Sequence, residues 1–151
     1  MNCLSEKTRI PQKNYMKTGR LFLILFLILN LNLFQISAQA PNWVPGTPFA
    51  TGTGPFSITV NYGIDMVGIV YIAVWNYNTG PMGANYVRVM AGQPVPSGSL
   101  VANAIININL GDVNKVLQSV LNVFDANTIH SVWLVAESSG GTLQATATKL
   151  L

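Results

Sequence analysis

Beyond residue 40, the side chains of the types most often used as a general acid or base, histidine and carboxylate, are few. They are one histidine and four carboxylates, namely His130, Asp65, Asp112, Asp125 and Glu137. Hydrolysis needs a nucleophile with a base, a pair of carboxylates, or a metal, and a zinc-type site needs three or four convergent ligands. No spacing among these five residues matches such a pattern. We therefore expect no catalytic residue, no metal site and no cofactor.

Each carboxylate also has an ordinary structural explanation. Asp65, Asp112 and Asp125 stand at predicted turns or element ends, where short polar side chains bond to backbone groups, and Glu137 stands at a strand end before a turn. A hydrolase remains only a third alternative, which requires His130 and two of the carboxylates to converge in one cleft. The glycines near residue 50 lie among prolines, without the strand–glycine–helix context of a nucleotide site.

The first 40 residues predict a secretory signal peptide. A basic stretch from Lys7 to Arg20 precedes the apolar run Leu21–Phe34, and Ala38-Gln39-Ala40 supplies an A-x-A cleavage site. We expect cleavage after Ala40 and a secreted or cell-surface product. Two alternatives stay open: the apolar run remains as an uncleaved anchor, although it is shorter than the roughly 20 residues of a spanning helix, and translation starts at Met16.

Removal of residues 1–40 changes the charge of the chain. Residues 41–151 carry three basic and four acidic side chains, a net charge of −1, whereas the whole chain carries +3. The basic patch that binds nucleic acid or an anionic membrane is therefore missing from this part. Its length suits one domain. The sole cysteine, Cys3, lies in the leader, so a disulfide within the domain and lipid attachment at its first residue are both excluded.

Beyond the leader, the sequence predicts mostly extended structure. The segment from Pro41 to Pro55 is rich in proline and glycine, which permits edge or irregular strands only. Met66–Trp75 is apolar on both of its alternating faces, as expected for a central strand. The remaining segments with strand composition or alternation are Phe56–Tyr62, Tyr86–Met90, Leu100–Leu110, Thr128–Ala136 and Thr142–Leu150.

Residues 111–127 permit two interpretations. Apolar residues from Val113 to Phe124 follow helical spacing, and Asp112 stands at the position of an N-cap. The many short extended segments elsewhere favour an all-β sandwich, in which this stretch is a strand. We favour a strand over Val116–Val123, which gives an all-β, seven-stranded sandwich.

The stretch from Gly68 to Gln144 resembles the fibronectin type III-like, immunoglobulin-like domains of bacterial secreted and surface proteins. The matching stretches are GIVYIAVW (68–75), VRVMAGQ (87–93), DANTIHSVWLVAES (125–138) and GGTLQ (140–144). Family members carry similar strands, an A-G-Q step and a G-N-L-Q end in the same order. The resemblance implies a fibronectin type III-like domain over residues 41–151.

Two structural expectations follow from the resemblance. Sandwiches of this kind often place a tyrosine early in the penultimate strand as a corner clamp that bonds back to the backbone, and His130 holds that position here. If His130, Val132, Leu134 and Ala136 face the core, then Trp133 points the other way. It would lie beside Tyr71 and Trp75 on an outer sheet face. The alternatives are that the loop 76–83 or another strand covers these rings, or that they occupy the core in the other register.

The resemblance implies a non-enzymatic module that serves surface interaction, adhesion or spacing. The alternative is a small carbohydrate-binding module that uses Tyr71, Trp75 and Trp133 as an exposed platform for sugar rings. The partner is then a protein or a polysaccharide, and the chain is either a complete unit or a piece of a larger surface protein. Edge strands without charged residues also make self-association possible.

Overall fold

The computed structural model describes residues 39–124 and 128–150, all within one compact unit. The predicted signal peptide lies almost wholly outside the described residues. The strands are β1 (Phe49–Gly54), β2 (Ser57–Tyr62), β3 (Gly68–Trp75), β4 (Leu100–Ile108), β5 (Leu117–Asn122), β6 (Ser131–Ser138) and β7 (Thr148–Lys149). The helix α1 (Ala84–Ala91) joins β3 to β4, and a 3-10 turn (Leu110–Asp112) follows β4.

The strands form two antiparallel sheets. One sheet has the order β1-β2-β5 and the other has the order β4-β3-β6-β7. Side chains from both sheets contribute to one core cluster, so the two sheets pack face to face as a sandwich. The prediction of an all-β sandwich is confirmed at this level.

The central strand β3 is covered on both faces. Val70, Ile72 and Val74 point into the core between the sheets, whereas Tyr71 and Trp75 belong to a second buried cluster on the opposite face. The neighbouring strand β6 alternates in the predicted register, with Val132, Leu134 and Ala136 in the first core and Trp133 in the second. These alternations confirm both predicted strand faces.

The second cluster exists because α1 packs on the side of the four-stranded sheet that is turned away from the core between the sheets. Ala84, Val87 and Ala91 are its buried residues, at a spacing that places them on one side of a helix. The predicted strand at Tyr86–Met90 is therefore wrong. The alternation of Val87 and Val89 is typical of a strand. The segment is a helix because its apolar side buries an apolar face of the sheet. Asn103 completes the end of α1 by donating to the carbonyls of Met90 (3.1 Å) and Gln93 (2.7 Å).

Tertiary pairing decides the ambiguous segment after Asp112. Residues Leu117–Asn122 form a strand that pairs with β2 along its whole length, so the strand interpretation is confirmed. Leu117 and Leu121 pack in the first core while Val120 is exposed, and these alternating positions outweigh the helical spacing. Asp112 instead accepts a hydrogen bond from the backbone N–H of Asn109, at 3.1 Å, in the 3-10 turn.

The last predicted strand is much shorter than expected. Of Thr142–Leu150, only Thr148–Lys149 pairs as a strand with β6. Earlier in this segment the side chain of Gln144 replaces a backbone partner, because its Oε1 accepts the Ala136 N–H at 2.9 Å while its own N–H donates to the Ala136 carbonyl. Its Nε2 donates to the Pro41 carbonyl, also at 2.9 Å.

Within the described residues, no helix has both the length and the apolar character needed to cross a membrane.

Gly68 marks the tightest approach between β3 and β6. A Cβ atom at this position would collide with the backbone carbonyl oxygen of Glu137, which has no freedom to move within the paired sheet. We predict that Gly68→Ala lowers the free energy of unfolding by about 1–3 kcal/mol, measured by chemical denaturation. Gly52→Ala, at a position with open space around it, should change stability by no more than about 0.5 kcal/mol. Equal losses in both variants would contradict this.

Candidate functional site

The carboxylates predicted to be structural lie at separate places in the fold. Asp65 accepts hydrogen bonds from the backbone N–H (2.9 Å) and the side-chain amide (2.8 Å) of Asn42, whereas Asp112 serves the turn after β4. Asp125 lies outside the described residues. Among residues 39–124 and 128–150, no three histidine, cysteine or carboxylate side chains come together as a metal site.

Glu137 forms the most developed polar cluster. Its Oε2 accepts a hydrogen bond of 2.7 Å from the hydroxyl of Tyr71, and its Oε1 lies 3.2 Å from Nη1 of Arg88 in an ion pair. Arg88 also donates to Oδ1 of Asn85 at 2.8 Å. Burial, together with the hydrogen bond and the negative charge of Glu137, raises the pKa of Tyr71 to about 12. This cluster ties α1 to β3 and β6.

His130 lies just before β6, half-buried. Its Nε2 is 3.3 Å from the Thr128 hydroxyl, a local side-chain contact. A corner clamp would bond to backbone a few residues upstream, and residues 125–127 lie outside the described residues. The corner role of His130 therefore stays a prediction.

Tyr71, Trp75 and Trp133 lie on the same face of one sheet, but they do not form an exposed platform. Only 9%, 3% and 5% of their surfaces are accessible, because α1 and the loop 76–83 cover them. The expectation of an exposed aromatic face is wrong for these three rings. The physical reason is the apolar character of both faces of β3, which leaves neither face able to meet water.

Thr79 holds the covering loop in place, and sequence reasoning did not single it out. Its hydroxyl accepts the indole N–H of Trp133 at 2.7 Å, and its backbone N–H donates to the Ser131 hydroxyl at 2.9 Å. Lys149 donates to the Thr79 carbonyl at 2.7 Å and to Oδ1 of Asn78 at 2.6 Å. The only sequence signal was a buried indole that needs an acceptor.

Large exposed apolar side chains are spread over the described surface, and some of them lie on the three-stranded sheet. We use "outer face" for the side of the sheet β1-β2-β5 that is turned away from the first core. Phe49 of β1 and Val120 of β5 lie on it, and Phe124 continues the alternation just beyond β5; their accessible fractions are 43%, 59% and 64%. The neighbouring side chains on this face are uncharged: Gln118 of β5 is exposed, whereas Thr59 and Asn61 of the middle strand β2 are buried, at 2% and 9% accessible surface.

A shallow groove of about 280 Å³ lies between residues 40–43 and 144–148. Its polar groups already bond to one another: the indole N–H of Trp43 donates to the Thr148 hydroxyl at 3.1 Å, and Gln144 donates to the Pro41 carbonyl. The groove therefore joins the two ends of the domain rather than presenting free donors to a ligand.

Comparison with protein-family models, with curated proteins and with solved structures finds no match. The function of this chain must be argued from its own residues.

The Tyr71–Glu137 pair predicts a loss of stability at alkaline pH. Because the folded pKa of Tyr71 is about 12 against 10.0 for a free side chain, its contribution is complete below pH 10 and is lost as the pH rises towards 12. Glu137→Gln should lower the Tyr71 pKa, though not fully to 10.0, since burial is the largest cause. Tyrosinate absorbance would measure this, with Tyr71→Phe as the assignment and Asp65→Asn as the control. Titration of Tyr71 near pH 10 in the unaltered chain would contradict the geometry.

Burial of two of the three tryptophans predicts weak fluorescence quenching by acrylamide. Trp43 is half-buried, so Trp43→Phe should remove most of the quenchable emission, whereas Trp133→Phe should leave it. A polysaccharide panel should leave quenching unchanged. Efficient quenching of Trp75 or Trp133, or protection of either by a glycan, would mean that these rings are accessible after all.

Proposed function

We propose that this chain is an exported, non-enzymatic module of fibronectin type III type, acting through surface contacts in adhesion or spacing. The observation that carries the proposal is that the ionisable side chains and the exposed apolar side chains have different positions and contacts in the fold. The described ionisable groups with hydrogen-bond partners hold helix, loops and ends in place, while the exposed outer face carries large apolar groups without charge.

The strand order supports the proposed fold type. In constant-type immunoglobulin sandwiches, strands A, B, E and D form one sheet and C, F and G form the other. Here the first, second and fifth strands form one sheet, and the third, sixth and seventh belong to the other. The fourth strand alone differs, since it pairs beside the third strand instead of the fifth. The pairing of β3 with β6 is the one expected of a fibronectin-like sandwich.

The fold of the residues after Ala40 is compatible with the predicted cleavage site. Pro41 is buried, its carbonyl accepts the Gln144 amide, and Asn42 is held by Asp65. The first residues after the predicted cleavage site Ala40 are thus part of the folded domain. This arrangement fits a domain boundary at Ala40, although the leader itself lies outside the described residues.

The outer face supports a contact function and indicates the chemistry of the partner. Phe49 and Val120 stand among amide and hydroxyl side chains, so an uncharged, partly apolar protein surface of the cell envelope is complementary to it. A polyanion would find no cation on this face. The alternative, a carbohydrate-binding module, relied on exposure of Tyr71, Trp75 and Trp133, and their burial removes that support.

The proposal predicts that the full chain, produced in a bacterial host, is cleaved after Ala40 and retained at the cell surface. Mass spectrometry of the N-terminus and the ratio of surface to medium protein measure both. Phe49→Ser should lower surface retention about fivefold or more, as expected when an interface aromatic that contributes more than ~1 kcal/mol is removed. Thr51→Ser, a mild polar change on the same strand, is the matched control.

Each part of the proposal fails separately. An uncleaved chain inside the cell would refute export. A cleaved chain whose retention is the same with Phe49 and with Phe49→Ser, while both unfold at the same temperature, would refute contact through the outer face.

A further inference from the structure

The strand β5 leaves one of its edges open. It pairs with β2 on one side, and within the described residues no strand pairs with the other side. The segment from Val116 to Phe124 contains no charged residue, no proline and no glycine. Soluble proteins usually protect such an edge with one of these residues, because its free amides and carbonyls can pair with another chain.

The hydrogen bond from the Val123 N–H to the Phe56 carbonyl, at 2.8 Å, fixes which backbone groups are free. Val123 and the other odd-numbered residues direct their N–H and C=O groups towards β2. Because these groups alternate along a strand, the even-numbered residues direct theirs towards the open edge. An added antiparallel strand must therefore pair its own edge-facing residues with the even-numbered residues of β5.

The side chains of these even-numbered residues repeat symmetrically. In order they are Val116, Gln118, Val120, Asn122 and Phe124, so apolar and amide side chains alternate on either side of Val120. Val116, Val120 and Phe124 are more than half exposed, at 55%, 59% and 64%. The row reads the same in both directions by residue class.

We propose that the partner of this edge is a second copy of the chain, paired antiparallel through β5 with its two-fold axis at Val120. In this register Val120 opposes its own counterpart, Val116 opposes Phe124 of the second copy, and Gln118 opposes Asn122. The pairs made by Gln118, Val120 and Asn122 join edge-facing residues of β5, so the two three-stranded sheets continue as one six-stranded sheet, and Val116 and Phe124 flank the paired strands at their ends. A two-fold interface is built from the same patch on both copies, which this pattern satisfies.

Other registers fit less well. If the second strand slides by two residues, Val120 faces Gln118 or Asn122 of the second copy, so an apolar side chain opposes an amide. If it slides by four residues, apolar side chains oppose one another again, but fewer residues overlap. Charge also permits the pairing, since no charged side chain stands in the segment and residues 41–151 have a net charge of only −1. The pairing goes beyond the proposed contact function and does not depend on Phe49, which lies on the opposite edge strand.

The test is the oligomeric state of the chain from Gln39 onward, which keeps both cores and all the contacts described. Sedimentation equilibrium should show a monomer–dimer equilibrium. Val120→Lys places two like charges against each other at the axis and should weaken dimerisation at least tenfold. Thr51→Lys, on the outer face but at the far edge of the same sheet, should leave the dimer unchanged.

Mixing experiments establish the axis and the register. Val120→Lys and Val120→Glu should each be monomeric alone and should form a mixed dimer together, because residue 120 faces residue 120. A chain with Val116→Lys and Phe124→Glu should still dimerise, whereas Val116→Lys with Phe124→Lys should not. Circular dichroism confirms that each variant is folded.

The proposal would be overturned if the chain is monomeric, with a dissociation constant of the dimer weaker than about 1 mM. A dimer unaffected by Val120→Lys, or a mixture of Val120→Lys and Val120→Glu that forms no dimer, would also overturn it. Two outcomes separate this interface from the contact function. Either dimerisation persists when Phe49→Ser abolishes surface retention, or surface retention persists when Val120→Lys abolishes dimerisation.

Discussion

The structure depends on one constraint, the apolar character of both faces of β3. A strand of this kind cannot lie at the surface, since each face must be removed from water. The three-stranded sheet covers the face that carries Val70, Ile72 and Val74. The helix α1 and the loop before it cover the face that carries Tyr71 and Trp75. The fold is therefore a sandwich with an additional layer, formed by α1 and the loop 76–83, on the four-stranded sheet.

Polar side chains hold that additional layer in position. A buried polar atom without a partner is costly, and within the described residues no buried side-chain nitrogen or oxygen lacks a hydrogen-bond partner. Thr79 receives the Trp133 indole, Glu137 receives the Tyr71 hydroxyl, and Asn103 closes the end of α1. Glu137 and Lys149 are thus used where the helix and the loop 76–83 cross an apolar sheet face.

Sequence reasoning succeeded where alternation alone determines structure. The two faces of β3 and the orientation of β6 followed from their residue patterns, because both strands are central and paired on both sides. It failed at α1, where eight residues carry too few turns for helical spacing to stand out from strand alternation. Burial of Trp133 under the loop 76–83 was one of the alternatives that the sequence left open, but the helical part of the cover was missed, because a short helix leaves little periodic signal. The corner role of His130 and the identity of any partner depend on contacts that local pattern does not encode.

The side chain of Gln144 has a mechanical consequence. It joins the carbonyl of Pro41 to the backbone of Ala136 in β6, while Trp43 bonds to Thr148 nearby. The beginning and the end of the domain are therefore both hydrogen-bonded at the same place on the four-stranded sheet. A tensile load applied to the beginning of the domain would act first on the side-chain bonds of Pro41 and Asn42 and on the short backbone pairing of residues 42–44 with residues 63–65, and the long strand ladders would bear force only after these bonds rupture.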